Sequence, residues 1–547
     1  MFLENPIKTF NPLTTTPARL FHPESLQSLK TADQKLFERF GQGPLVPVPY
    51  DLIHCAFEYF AKHQPGAVAV RSNSEIDFGK TITYCELEKV SNHLAAHLIS
   101  LGVKPGDHVG LFLQRSIDMV VGILGILKAG AAYVPQDARI TPLAQLQNIV
   151  EACEMKLILT QSHFLKKEDD SKLKSFVHSD VKVLAIDEFR NQLASSCEAE
   201  VHVQSEASLP VCFVLFTSGT TGRPNGVQVT HKNVCNILLT QPGGLGLGPG
   251  VCVSQILNIS FDMAAWEILG ALSHGATLII RGKDVSKTIA EVEVVIATPS
   301  ILASLDIEKC KNVKTVAVAG EPCPLPLAEK WSAFSHFYNS CGPTEVTIVN
   351  TMQLYKPNSQ TLTIGKPTPN NTVYILDENL KPCAIGEIGE MWAGGDCVSA
   401  GYLKNLLLTD ERYKPDPFLG RNRKMFRTRD LGRWSAEGEL EHFGRTDDQV
   451  KIRGFRVELD SVSSALEKTK DCAQAVTLRL DSQTLAAFVK PKHVDLNQAR
   501  KEIEKALPYY CVPSILIALD DFPFTSRGKI DKKALTILAV ETSEGGL

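Results

Sequence analysis

The 547-residue sequence has little of what marks a membrane, secreted or nucleic-acid-binding protein. Its longest apolar run, 119–127, is nine residues, less than half of the ~20 needed to span a bilayer. The opening stretch MFLENPIKTFNP carries Glu4, Lys8 and two prolines in place of an apolar core, so no signal peptide is expected. Charge of one sign is not in excess: 57 Lys and Arg face 61 Asp and Glu, a net charge of -4. That balance excludes a nucleic-acid binder working through bulk charge. None of the 14 cysteines forms a Cys-x-x-Cys pair. Neither a zinc site nor a disulfide framework is indicated, and reduced, mostly buried thiols in a cytoplasmic protein are expected. A GxxxxGK[ST] phosphate loop, internal repeats and low-complexity segments are also missing. What remains, 44% hydrophobic and 22% charged, is the composition of a globular chain of roughly three to four subdomains.

Residues 1–50 are rich in proline and polar residues, with one amphipathic stretch at 25–40, and read as a linker that wraps a domain. From 51 to 446, helical periods at 91–101 and 117–129 alternate with β-branched runs at 109–113, 211–216, 294–297, 315–319 and 336–338. That alternation predicts an α/β core. Each run is followed at once by small, polar or glycine residues. In open parallel sheets ligands bind beyond the carboxyl ends of the strands, so the site is expected in those loops. Near Asp447 the pattern changes. Helices at 461–469 and 498–507, with strands at 475–480 and 485–489, predict a small α+β unit over 447–547. The glycine-rich run 241–250 neither follows a strand tightly nor opens a helix, and is expected to be a flexible surface loop.

The strongest local signal is Thr217, Ser218, Gly219, Thr220, Thr221 and Gly222, directly after the 211–216 strand. A loop of glycines and hydroxyls leaving a buried strand can turn several N–H and O–H donors onto one phosphate chain. It resembles the phosphate loop of the adenylate-forming superfamily, and further blocks of that superfamily stand in order. TYCEL (83–87) and LKAGAAYVP (127–135) precede it, and FDMAAWE (261–267), NSCGPTE (339–345), GEIGE (386–390) and GYL (401–403) follow. FRTRDL (426–431), GRTDDQVKIRG (444–454), LPYY (507–510) and GKID (528–531) complete the set. The resemblance covers about 50–535 and is best to the adenylation domains of nonribosomal peptide synthetases.

That resemblance implies a core of doubly wound α/β subdomains with a small β-barrel-like subdomain over 51–446, and a mobile α+β domain over 447–547. It implies ATP and Mg²⁺ as cofactors. Thr217–Thr221 would cradle the leaving phosphates, Thr344 would bind the α-phosphate, and Glu345 would hold Mg²⁺. Cys341 stands where an aromatic residue stacks on adenine. Asp430, assisted by Arg445, would take the ribose hydroxyls. Lys529 would bridge carboxylate and phosphate, and Asp447 would be the hinge. Three positions depart from the pattern: Asn225 replaces the loop lysine, Cys341 the adenine-stacking aromatic residue, and Arg429 the glycine before the ribose aspartate.

By the same resemblance Asp262 pairs with a substrate ammonium, although Asp also suits a helix start such as this one. The side-chain pocket would be lined by Met263, Trp266, Ile296, Ala317, Ala319, Ser340, Ile348 and Val349. With no second acidic residue and three small ones, it suits a large, net-neutral amino acid. The wording of these blocks is similar to fungal hydroxamate-siderophore (ferrichrome-type) synthetase modules, which use N-acyl-N-hydroxyornithine. A stand-alone acyl- or aryl-CoA ligase and a degenerate, non-catalytic scaffold are the alternatives. Neither an HHxxxD nor an LGGxS sequence is present. The expected partners are therefore a carrier-protein phosphopantetheine arm and neighbouring synthetase domains outside this chain, which would be a monomer when excised. No nucleic acid or membrane partner is expected.

Overall fold

Helices in this protein begin where the sequence supplies a cap. Thr83 accepts the Glu86 amide while the Glu86 carboxylate accepts the Thr83 amide, satisfying two orphan donors of the first turn. The helix Tyr84–Ser100 therefore starts at Tyr84, well before the apolar period at 91 begins. Ser116 caps the helix Ile117–Lys128 through the Met119 amide. That helix is buried on every side, and even Lys128 lies inside, its ammonium held by Glu58 at 3.0 Å and Glu88 at 2.8 Å.

These elements come from a computed structural model, which describes residues 21–166, 173–177, 180–193, 210–217, 224–525 and 530–544. The chain divides into two compact units. The first comprises Met1–Asp137, Glu154–Leu215 and Val227–Thr446; the second comprises Ala138–Cys153, Phe216–Gly226 and Asp447–Leu547.

Two α/β sheets and one antiparallel sheet build the first unit, with a few strand-end residues assigned to the second. In the nine-stranded sheet, six strands run parallel in the order His336–Cys341, Thr315–Val318, Val294–Ala297, Cys252–Gln255, Thr277–Ile280 and Val68–Ser72. Antiparallel strands close both edges. The six-stranded sheet is ordered Lys182–Ala185, Leu157–Thr160, His108–Leu113, Ala132–Asp137, Val211–Thr217 and Asn225–Thr230. Strands buried on both faces read as continuous apolar runs, which is why 294–297 and 315–318 are buried throughout. A five-stranded antiparallel sheet, Asn371–Leu376, Gly389–Gly395, Tyr413–Asp416, Gly420–Trp434 and Leu440–Arg445, forms the β-rich part of this unit.

Residues 21–50 pack on that antiparallel sheet. Phe21 and Phe37 are buried and join Tyr374 and Phe418 in an aromatic cluster, whose stacked Tyr374 and Phe418 rings lie 4.3 Å apart. Phe40 meets Trp434 at 5.9 Å.

The glycine-rich run 241–250 differs from expectation. Its middle is a wound turn with 243–245 buried, while 241, 246, 249 and 250 are exposed: the Gly244 amide donates to Thr240 O, the Leu245 amide to Pro242 O, and the buried Trp266 indole to Gly243 O at 2.7 Å. A Cβ at Gly243 would fall 2.0 Å from the Ile237 carbonyl oxygen. Gly243 and Gly244 thus serve close packing, a signal that composition alone reads as looseness, whereas Gly246 and Gly250 stand in open space.

In the second unit, strands Gln474–Arg479, Leu485–Lys490 and Ile515–Ala518 form one sheet. Helices Leu459–Leu466 and Leu496–Ala506 cover an apolar core that includes Val457, Val462, Leu466, Val489 and Ile503. Large α/β sheets with a smaller α+β region are the fold class that the sequence predicts.

Candidate active site

Parallel pairing sets residues abreast. Ile296 pairs with Ala317 and Ala317 with Tyr338, so these three share one face of the sheet. Ala319 and Ser340, two residues further along their strands, continue it. The small residues are buried, and Ser340 Oγ is a buried hydroxyl without a hydrogen-bond partner. A buried polar atom is normally satisfied; here it stands on a face shared with Ile296, Ala317, Ala319 and Tyr338.

The helix Asp262–Ser273 packs against strands of the same sheet, with Asp262 at its first position. Met263 and Trp266 follow on it, both buried. The preceding turn, 256–261, is braced twice. On one side Glu267 accepts the Ile256 amide at 2.8 Å and the Leu257 amide at 3.1 Å. Arg115 donates to the carbonyls of those same two residues and to Gln255 Oε1. On the other side Asn258 donates to Asp137 Oδ2, and Ser260 Oγ accepts the Asp137 amide. Motif reading assigned no part to Glu267, Arg115 or Asn258. The signal was present in the charged Glu267 inside an otherwise apolar helix.

The strand His336–Cys341 ends at the next group. Gly342 has no room for a side chain, since a Cβ there would sit 2.6 Å from Val349 Cα. Thr344–Val346 then form a short 3-10 turn, with Glu345 fully buried. Thr347 and Ile348 follow at φ 58° and 70°, a conformation that costs a β-branched residue on the order of 1–3 kcal/mol. The Tyr402 hydroxyl donates to Glu345 Oε1 at 2.7 Å, and the Ser399 amide donates to the Glu345 carbonyl at 3.0 Å. Tyr402 belongs to the GYL block, to which the sequence assigned no role. Ile348 and Val349 are buried beside this turn, and Cys341 is half-buried at the strand end.

Asp430 and Arg445 are cross-strand partners in the antiparallel sheet. Arg445 Nη1 donates to Asp430 Oδ1 at 2.8 Å, and His442 Nε2 lies 3.4 Å from the same oxygen. Arg429, next in the chain, adopts φ 63°, the left-handed conformation that suits the glycine of the family pattern. Its guanidinium pairs with Glu411 at 2.6 Å, which offsets part of that strain.

Cys341, Thr344, Glu345, Asp430, Arg445 and the residues assigned to the side-chain pocket all lie in the first unit. Thr217 and Asp447 belong to the second. Ser218, Gly219, Thr220, Thr221, Gly222 and Lys529 lie outside the described residues. Among the described residues no group of three His, Cys, Asp or Glu could hold a metal ion, and no helix is long and apolar enough to cross a membrane. Mg²⁺ bound with a nucleotide needs only one or two protein carboxylates, because phosphates and water complete its shell. The Glu345 carboxylate fits that requirement.

Glu267 yields a test of the brace. Burial pushes its carboxyl up to about 8, so the ionised form is disfavoured in the fold. Its stabilising contribution is complete below the ordinary value of 4.5 and is lost as pH rises through about 8. Glu267→Gln sets an amide N–H₂ against one backbone donor and costs about 1–3 kcal/mol. Its melting temperature is expected to fall furthest below wild type near pH 5, with the gap closing as pH rises toward about 8. A gap independent of pH in thermal melts would count against this role.

The family model described as AMP-binding enzyme matches residues 57–403. The chain is 44% identical over 522 residues to adenylate-forming reductase 03009 of Coprinopsis cinerea, covering 95% of this chain and 50% of that protein. It is 33% identical over 540 residues to gramicidin S synthase 1 of Brevibacillus brevis, covering 96% and 48%. It thus spans about half the length of these relatives. A solved nonribosomal peptide synthetase protein containing adenylation and carrier domains, bound to a vinylsulfonamide inhibitor, superposes with a TM-score of 0.78 at 22% identity, covering 89% of this chain and 84% of that one. This last likeness concerns the fold. Through the family match, which takes in more than half of the sequence, the chain belongs to the AMP-binding enzymes and is an adenylate-forming ligase.

Proposed function

We propose that this chain activates an amino-acid carboxylate with ATP, forming an aminoacyl-adenylate and releasing pyrophosphate, for transfer to a carrier-protein phosphopantetheine outside the chain. The observation that carries the reading is the fully buried Glu345 carboxylate at the end of a parallel strand, inside the matched residues. In the reaction a carboxylate oxygen attacks the α-phosphorus and the bond to pyrophosphate breaks. Such a step gains most from positioning and from donors aimed at the growing negative charge. Thr344 would donate to the α-phosphate and Asp430, oriented by Arg445, would accept the ribose hydroxyls. Thr217–Thr221 would hold the departing phosphates. Glu345 would hold Mg²⁺, which when bound neutralises phosphate charge. Lys529 would join the substrate carboxylate to the phosphate, and Cys341 would border the adenine.

For the substrate, Asp262 at a helix start would take the α-ammonium. The face of Ile296, Ala317, Ala319 and Ser340, together with Met263, Trp266, Ile348 and Val349, would receive the side chain. Small buried residues and an unpartnered Ser340 hydroxyl support a large, neutral side chain with a polar tip, such as N-acyl-N-hydroxyornithine in siderophore assembly. A second reading comes from the 44% identity to an adenylate-forming reductase: the activated acyl group, in place of being condensed, would be reduced by a two-electron hydride donor bound outside this chain. An exchange screen over acylated hydroxyornithines, ordinary amino acids and carboxylic acids without an amino group tests the amino-acid reading, which requires the ammonium.

Lys529→Ala is expected to lower ATP–pyrophosphate exchange by about 10²–10³, the scale for removing one preorganised charge, while ATP binding persists; near-normal exchange would sink the assignment. Asp447, the first residue of the C-terminal segment, is the proposed pivot between adenylation and thioester transfer. Asp447→Pro is expected to spare one half-reaction and abolish the other, and equal loss of both would argue against a pivot. Ala317→Leu overpacks the proposed pocket by about 1–3 kcal/mol, roughly ten- to a hundredfold in discrimination. Exchange with a long acylated side chain should fall by that factor while alanine loses little. Equal loss with both substrates would remove the large-pocket reading and leave adenylation standing.

A further inference from the structure

We propose that Tyr402 is a positioning residue for Glu345, whose hydroxyl fixes the carboxylate in the orientation that meets a divalent cation. The proposal rests on the reading of Glu345 as the Mg²⁺ ligand. Tyr402 and Glu345 are 57 positions apart and both are buried, yet the Tyr402 hydroxyl donates to Glu345 Oε1 at 2.7 Å. A hydrogen bond from a neutral hydroxyl to a carboxylate is short, strong and directional. With one oxygen held, rotation of the carboxylate about its last bond is restricted, and the direction of the second oxygen is set.

The same segment grips the turn a second and third time. The Ser399 amide donates to the Glu345 carbonyl, and Thr347 Oγ1 donates to the Cys397 carbonyl at 2.8 Å. Thr347 and Ile348 carry the left-handed backbone that follows Glu345, and such strain persists only where surrounding bonds over-determine it. The gripping segment is itself anchored. Gln228 pairs through its backbone with Ala400 and Gly401, and Asn233 Nδ2 donates to the Val398 carbonyl. Segment 397–402 is thus a fixed wall behind the Glu345 turn, and Tyr402 is the one side chain on it that donates to the carboxylate among the bonds described.

The test is a Mg²⁺ titration at fixed ATP on wild type and Tyr402→Phe, which keeps the ring and removes only the hydroxyl. It is read in pyrophosphate exchange and, apart from turnover, in the proton relaxation of water by Mn²⁺ bound with ATP in the absence of amino acid. Loss of a group that orients a metal ligand typically weakens the metal about 10- to 100-fold. The half-saturating cation concentration is expected to rise by that factor in both readouts. An unchanged half-saturation overturns the proposal, whatever happens to the maximal rate.

Tyr413→Phe is the control for general loosening. It breaks the 2.7 Å contact between the Tyr413 and Ser399 hydroxyls without touching the carboxylate, and an equal shift there also overturns the proposal. Glu345→Gln separates the underlying reading. If it leaves the cation requirement unchanged, Glu345 is not the metal ligand; if it shifts while Tyr402→Phe does not, only the role of Tyr402 fails. Should Tyr402→Phe not fold, Thr409→Val decides, since Thr409 Oγ1 accepts the Tyr402 amide at 3.0 Å. A raised half-saturation supports the proposal, and an unchanged one overturns it.

Discussion

Three short strands, Val294–Ala297, Thr315–Val318 and His336–Cys341, are tied in parallel register, and the site depends on that register. Because paired residues in neighbouring strands share a face, Ile296, Ala317 and Tyr338 stand abreast and Ala319 and Ser340 follow them. A slip of one residue would turn each of these side chains to the other face. The register also decides where the chain must leave the sheet. At Cys341 it leaves through a glycine with no room for a Cβ and a turn held in left-handed backbone, so Glu345 arrives at a defined place rather than on a free loop.

Four ionisable groups buried in the first unit follow one rule. Lys128 has Glu58 and Glu88, Glu267 has two backbone amides, Glu345 has Tyr402, and Asp430 has Arg445. A buried ionisable group without partners is disfavoured whether charged or neutral, so each of these brings its own scaffold. At Glu267 and Glu345 that scaffold immobilises a turn bearing a proposed substrate or metal contact. Rigidity of this kind is what a reaction driven by positioning needs.

Three departures from the family pattern find different answers. Arg429 adopts a positive φ, which suits the glycine of the family pattern, and adds an ion pair to Glu411, so the turn ahead of Asp430 is held at some local cost. Cys341, smaller than the aromatic residue of the family pattern, is half-buried at the strand end. Nothing in the structure explains Asn225 in place of lysine.

Ordered motifs and hydrophobic period were enough to read the α/β core, the smaller α+β region toward the C-terminus, the strand at 294–297 and, one residue too long at 315–319, the strand Thr315–Val318. Those signals are local: strand and helix periods, glycine at tight turns and polar residues at strand ends are written within a few positions of one another. The start of the helix at Tyr84 was also written locally, in the Thr83–Glu86 capping box, although periodicity alone missed it. What no local pattern contained was partnership at a distance. Tyr402 against Glu345, Arg115 on the 256–257 turn, and Trp266 on the Gly243 carbonyl join residues from 23 to more than 140 positions apart in the chain. The glycine-rich run 241–250 became a packed turn for the same reason. Whether a glycine gives freedom or close approach depends on which neighbour lies within 3 Å, and only the folded chain supplies that neighbour.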